Sequence, residues 1–177
     1  MDANQRVEKL KHAIRDVADF PKPGIVFKDL TTLLLDPAAF RSALDQLQEL
    51  IAGRPARKVI GIESRGFIWG AALADRLGVG FVPVRKPGKL PWRKIAASYA
   101  LEYGTDTLEM HEDAVSPGES VLVVDDLIAT GGTAHAVGEL VRRLGGSVAA
   151  YLFVVELTFL DGRRKLADAD VLSLIRY

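Results

Sequence analysis

The chain has no cysteine among its 177 residues, which excludes disulfides and thiolate metal sites and suits a reducing cytoplasm. Histidine is nearly as scarce. His12, His111 and His135 are scattered, with no HxxxH or HExxH pair, so a metal centre built from protein ligands finds no support in the spacing. Neither sign of charge is in excess, with 23 Lys and Arg against 23 Asp and Glu; no overall field exists to hold a polyanion, and nucleic acid is not an expected partner. Long hydrophobic runs are missing too. The longest, residues 148–155, falls far short of the roughly 20 residues that cross a bilayer, and the polar start MDANQRVEKL lacks the apolar stretch of a secretory signal. The expectation is a cytoplasmic protein with no membrane partner.

What is present is an apolar fraction of 49% beside a charged fraction of 26%, enough to bury a core in one domain spanning residues 1–177. Val7, Leu10, Ile14 and Val17 share one face of a first helix. Asp36-Pro37 followed by Phe40, Leu44, Leu47 and Ile51 reads as an N-cap, a first-turn proline and a second helix ended by Gly53. KVIGI at 58–62 is a strand, 66–77 a helix stopped by Gly78, and 81–84 another strand. The pattern then repeats, with a strand at 121–124, a helix at 133–144 closed by Gly145-Gly146, and a strand at 148–155. Val- and Ile-rich runs without polar alternation, separated by helices, predict an α/β fold: a doubly wound, mainly parallel sheet flanked by helices.

Two segments break that rhythm, and compact folds place function in such exceptions. One is FPKPGIVFKDL at 20–30, in an N-terminal hood of about 1–35. The other, 85–112, holds RKPGKLPWRK and then SYALEY, Gly104 and a second alternating stretch. It reads as a flexible loop running into a β-ribbon that stands off the sheet, either a flap over an anionic ligand or a solvated surface excursion.

VVDDLIATGGT, at 123–133, concentrates the chemistry. In a doubly wound sheet the ligand crevice lies outside the carboxyl ends of the strands, where Asp125 and Asp126 follow VLVV. Ala129, Thr130, Gly131, Gly132 and Thr133 then enter a helix. Its first N–H groups are unpaired donors at the positive end of the helix dipole, and glycines admit a phosphate close to them. Carboxylates repel phosphate but accept from hydroxyls, so the combination points to a ribose bearing a 5′-phosphate. An ordinary capped turn is the bland alternative. Neither GxxxxGK[ST] nor GxGxxG after a strand occurs.

VLVVDDLIATGGTA closely resembles the phosphoribosyl-diphosphate motif of the type I phosphoribosyltransferases. FPKPGIVFKD, GIESRGF, RKPGKLP with SYALEYG, and VELT at 155–158 are similar to segments of the adenine-using members of that family, in the same order from about Phe20 to the end of the chain. The resemblance implies transfer of a phosphoribosyl group from phosphoribosyl diphosphate to adenine in purine salvage, giving AMP and pyrophosphate. It also implies Mg²⁺ carried on the diphosphate oxygens and a homodimer. By that resemblance Asp125 and Asp126 contact the ribose hydroxyls and 129–133 hold the 5′-phosphate. Arg65 grips the diphosphate, with Ser64 and Gly66 amides beside it and a cis peptide at Glu63–Ser64. Arg85, Lys86 and Lys89 bring positive charge, in cis or across a subunit boundary. Phe27 stacks on the base, the Val26 main chain reads its edge and Leu157 closes the pocket. Without the resemblance Phe27 would be read as core. Lys28 departs from the arginine of some relatives and loses its planar fork. Glu102 corresponds to the general acid or base, with Tyr103 as its neighbour; without the motif the two are an ordinary polar and aromatic pair.

Other classes stay open at this point. A sister transferase for hypoxanthine, guanine or xanthine would share these motifs. A sensor of the same fold would bind the sugar diphosphate without turnover, although it would be expected to carry a DNA-binding segment or a basic face.

Overall fold

The computed structural model describes residues 2–100 and 104–177. Helix α1 (Ala3–Ala13) opens with a capping box: the Asp2 carboxylate accepts from the Gln5 N–H at 2.8 Å, and the Gln5 side chain accepts from the Asp2 N–H. Leu10 and Ile14 are buried as their spacing predicts. Val17 does not continue the helix, because the chain turns extended into β1 (Arg15–Ala18) and pairs antiparallel with β2 (Val26–Asp29), Val17 opposite Phe27. Here pairing with a remote strand overrides a local helical period. A short helix α2 (Thr31–Leu35), not anticipated, buries Leu33. Helix α3 (Pro37–Leu50) begins as predicted, with the Asp36 carboxylate accepting from Ala38 and Ala39 N–H at 2.8 and 3.2 Å.

The central repeat follows in order: β3 (Lys58–Ile62), α4 (Gly66–Leu77), β4 (Gly80–Val84), β5 (Lys94–Ala100), β6 (Thr105–His111), β7 (Ser120–Ile128), α5 (Gly132–Arg143), β8 (Ser147–Glu156) and β9 (Asp170–Arg176). Two 3-10 turns, Thr158–Leu160 and Gly162–Lys165, join the last two strands. Strand β9 escaped the sequence reading.

Five strands form one sheet in the order β4-β3-β7-β8-β9, every pairing parallel. The sheet is buried on both faces. Leu122 and Val124 of β7 pack with Leu33, Leu47, Trp69 and Leu73 from α2, α3 and α4 on one side. Val121 and Val123 pack with Leu140, Leu108 and Met110 from α5 and β6 on the other. This period-2 split of one strand between two cores is what a continuous apolar run means.

Successive strands β3 and β4 grow toward one edge, and the chain then crosses back to place β7 on the far side of β3. That reversal is a topological switch point, and it puts the ligand crevice outside the carboxyl ends of β3 and β7.

The ribbon of β5 and β6 is a separate antiparallel pair, as expected. Its lower part does not stand off the molecule. Ala97, Leu108 and Met110 are buried in the second core, and Arg85 forms an antiparallel bridge with Glu109 that ties the ribbon to the end of β4. The reason is alternation, since one face of the ribbon is apolar and seals onto α5.

Candidate active site

The switch point gathers two chain segments, Glu63-Ser64-Arg65 after β3 and residues 129–133 after β7. The Glu63–Ser64 peptide is cis, as the resemblance implies. Gly131 caps α5 at φ +77° with no side-chain capping bond, as α2 and α4 also lack one, whereas α1 and α3 each carry an aspartate cap. The first-turn amides of α5 are therefore left for an anion rather than for the protein's own carboxylate. Gly131 is required sterically as well as conformationally: a Cβ there would lie 2.2 Å from the Gly162 carbonyl oxygen. Asp125, Thr130, Gly131, Thr133 and Phe153 line a cavity of about 100 Å³ at this spot.

The two acids lie inside β7 rather than beyond it. On the β3 side pairing ends at Gly61 opposite Val124, but on the β8 side it runs on through Asp125 opposite Phe153 to Ile128 opposite Glu156. The strand loses one neighbour where the acids begin, while pairing with β8 still holds them in place. Alternation then separates them. Asp125 faces the cavity and partly faces solvent, whereas Asp126 is buried on the α4 side and accepts from Arg65 Nε. Gly66 leaves room for the first acid, since a Cβ there would meet Asp125 Oδ1 at 2.7 Å. Burial, with the Asp126 charge next to it, raises the Asp125 carboxyl well above the usual carboxylate range.

Arg65 bridges the two halves of the site. Beyond its bond to Asp126, its guanidinium sits over the Phe27 ring, 5.6 Å from the centroid. Phe27 is partly buried, and the edge of Phe20 meets it at 5.2 Å between centroids. Val26 beside it is 53% exposed, at the start of β2. Leu157 is partly buried, its N–H donating to the Ile128 carbonyl at 3.0 Å, which fixes VELT to the end of β7 beside the 129–133 loop. Lys28 is not part of this group. Its amine donates to Asp16 at 2.6 Å and lies 4.2 Å from the centroid of the Tyr177 ring, on the opposite face of β2 from Phe27. Glu102 and Tyr103 fall outside the described residues.

The basic loop is ordered by an acid that the sequence reading passed over. Glu63 accepts from Arg85 Nε at 3.2 Å, from the Lys86 N–H at 3.0 Å and from Lys89 Nζ. Burial alone would raise the Glu63 carboxyl, but those donors outweigh it and lower it to about 2. Lys86 Nζ donates to Asp106, Lys94 pairs with Glu109 at 3.1 Å, and the Gly88 N–H donates to the same Glu109. The residues expected to bring charge to a diphosphate are thus parked on carboxylates around the crevice. The only cue in the sequence was an acid at a strand end facing a cluster of cations far along the chain.

A second unforeseen acid supports the anion loop from behind. Glu156 is 3% exposed and accepts from Arg163 twice at 2.7 Å and from Ser173 Oγ at 2.6 Å. The Arg163 bonds, foremost, hold it below the ordinary range. This ion pair sets the 3-10 turn whose Gly162 backs onto Gly131.

A wider groove of about 530 Å³ runs along residues 55–57 and 116–120. It lies at the amino ends of β3 and β7, the wrong end of a doubly wound sheet for a ligand.

The family model described as "Phosphoribosyl transferase domain" matches residues 32–170. Adenine phosphoribosyltransferase of Acidobacterium capsulatum is 56% identical over 170 residues, covering 96% of this chain and 94% of that protein. The crystal structure of adenine phosphoribosyltransferase from Thermoanaerobacter pseudethanolicus is 53% identical with a TM-score of 0.94, covering 97% of this chain and 99% of the other. The enzyme from Saccharomyces cerevisiae, complexed with an imino-altritol bisphosphate and adenine, is 43% identical with a TM-score of 0.91, over 97% and 99% of the two chains. A parallel sheet reversed between β3 and β7, with an uncapped glycine-led helix at the reversal, accords with these likenesses, and the chain belongs to the phosphoribosyltransferase family, alongside its adenine phosphoribosyltransferases.

Proposed function

We propose that this chain transfers the 5-phosphoribosyl group of phosphoribosyl diphosphate to adenine, giving AMP and pyrophosphate. The observation that carries the reading is the α5 N-terminus: uncapped, glycine-led, backed by Gly162 and flanked by an aspartate of raised pKa.

The 5′-phosphate takes the amides and hydroxyls of 129–133. Asp125 and Asp126 meet the ribose hydroxyls from two sides of β7. Arg65 turns from Asp126 to the diphosphate, which frees that acid for the sugar and uncovers the face of Phe27. Arg85, Lys86 and Lys89 leave their carboxylates to complete the anion clamp, beside the Ser64 and Gly66 amides. As the bond from the anomeric carbon to pyrophosphate lengthens, the sugar becomes oxocarbenium-like and the clamp stabilises the departing charge. Adenine, stacked on Phe27 and closed in by Leu157, presents a ring nitrogen to that carbon. Glu102, with Tyr103 beside it, acts as general acid or base at the purine's imidazole nitrogens. Val26 main-chain groups read the 6-amino edge; a 6-oxo purine leaves one of them unpaired, at a cost of about 1–3 kcal/mol. Lys28 contributes main chain alone, its amine being occupied by Asp16.

Mg²⁺ would ride mainly on the oxygens of phosphoribosyl diphosphate, as a hard cation binds substrate phosphates, since the described residues gather no cluster of three or more His, Asp or Glu ligands that could hold the ion by themselves. When bound it neutralises charge on the diphosphate. The working form is a homodimer in the cytoplasm, a reading supported by the family resemblance and the absence of cysteine.

Mixing the protein with adenine, phosphoribosyl diphosphate and Mg²⁺ tests the reading. AMP and pyrophosphate are expected in equal amounts, with hypoxanthine, guanine and xanthine turned over far more slowly. Binding of the sugar diphosphate without product would identify a sensor instead.

A further inference from the structure

Asp106 sits opposite Tyr99 in the ribbon register. Its Oδ2 accepts from Lys86 Nζ and, at 3.1 Å, from the Tyr99 hydroxyl, while Oδ1 accepts from the Thr107 N–H at 2.8 Å. Tyr99 in turn packs against the second core, whose members include Ala134 and Ala136 in the first turns of α5. One carboxylate therefore joins the basic loop to the ribbon that packs on α5. The other acids holding cations here have further work in the site: Glu63 also fixes the Lys86 main chain, and Asp126 belongs to the strand that meets the sugar. The acceptor role of Asp106 is spent on Lys86, Tyr99 and its own neighbour.

From this arrangement we infer that Asp106 is an internal competitor of the diphosphate for Lys86, a positioning residue that sets how tightly pyrophosphate is held and how fast it leaves. The inference rests on the proposed transferase reading. The Lys86 ammonium satisfies either Asp106 or a phosphate oxygen. When substrate draws it away, Asp106 keeps Tyr99 and so keeps the ribbon seated against α5. When the bond to pyrophosphate has broken, the carboxylate takes the lysine back and loosens the leaving group. Lys86 is 42% exposed at its side chain, so the exchange is a modest one between solvent-screened partners.

Calorimetric titration of pyrophosphate with Mg²⁺ into wild type, Asp106→Asn, Lys86→Met and the double variant tests this. Asp106→Asn should tighten pyrophosphate by about 2- to 5-fold, the scale of a screened ion pair, and lower kcat where product release limits turnover. Asp106→Ala should act in the same direction. In the Lys86→Met background the gain should vanish, because no lysine remains to be released. Weaker binding in folded Asp106→Asn, or an equal gain with Lys86 absent, would overturn the inference and leave the transferase reading intact. A wild-type protein that neither binds pyrophosphate nor forms AMP would overturn that reading and the inference with it.

Discussion

Asp125 shows how a functional group can work against the fold that carries it. Its pKa is raised by burial and by Asp126, so the folded state resists ionisation that the unfolded chain permits. Below the unfolded carboxylate pKa of 3.8 both states are protonated and nothing is lost. As pH rises past it, the unfolded state ionises first and stability falls, until the folded pKa is passed. Asp125→Asn should therefore stabilise the fold at neutral pH, by about 1 kcal/mol, with the gain fading in melts recorded toward pH 3. The same substitution together with Asp126→Asn should raise KM for phosphoribosyl diphosphate by about tenfold or more, the loss of a charge-assisted hydrogen bond being worth about 1.5–3 kcal/mol. A normal KM would make the acids structural. At Glu102 the expectation is different in kind: Glu102→Gln should keep sugar-diphosphate affinity in calorimetry and lose about 10²- to 10⁴-fold in turnover. Unchanged steady-state adenine consumption would remove Glu102 from the chemistry.

Among the elements, the α5 cap and the basic loop are the two whose failure would be most informative. Gly131→Ala places a methyl 2.2 Å from the Gly162 carbonyl oxygen at φ +77°. It should cost about 2 kcal/mol or more of stability and abolish binding of the sugar diphosphate; a folded variant with full affinity would remove the loop from the site. Glu63 works in the opposite sense to Asp125. Its pKa is lowered from 4.5 to about 2, so its stabilisation is present above 4.5 and lost as pH falls toward 2. Glu63→Gln should remove about 1 kcal/mol at neutral pH, discounted because its cations are a third to a half exposed, and should narrow the gap to wild type in acid.

The same elements show what was readable in advance. The bounds of β3 and α4 emerge from a Val and Ile run followed by a helical period between Gly66 and Gly78, local signals that nothing distant overrides. The reach of β7 past Val124 was hidden because an apolar-run reading stops at the first charge, whereas pairing with β8 carries Asp125 and Leu127 along. Val17 was misread because its spacing is helical while its partner, Phe27, is ten residues away. In the site, the 129–133 loop was legible because glycine and threonine at a helix entrance have a local meaning. Glu63 was not, because its partners lie 22 and 26 residues away and only the fold brings them together.

At the scale of the whole molecule, the sheet reversal between β3 and β7 decides where chemistry can happen, and the two cores hold that reversal rigid from both sides. No helix among the described residues is long and apolar enough to cross a membrane. Balanced charge fits the crevice too, where Arg85, Lys86 and Lys89 are each matched by a carboxylate. The proposed homodimer should appear in light scattering as the mass of two chains, and a chain that stays monomeric at working concentration would overturn that proposal and confine Arg85, Lys86 and Lys89 to action in cis.

The claim on which everything else stands is that the α5 entrance holds the 5′-phosphate. A crystal structure of this chain with AMP tests it most directly: the account expects the phosphate on the amides of 131–133, the ribose against Asp125 and Asp126, and adenine on Phe27. Nucleotide bound anywhere else, with that entrance closed by the protein's own side chains, would contradict it.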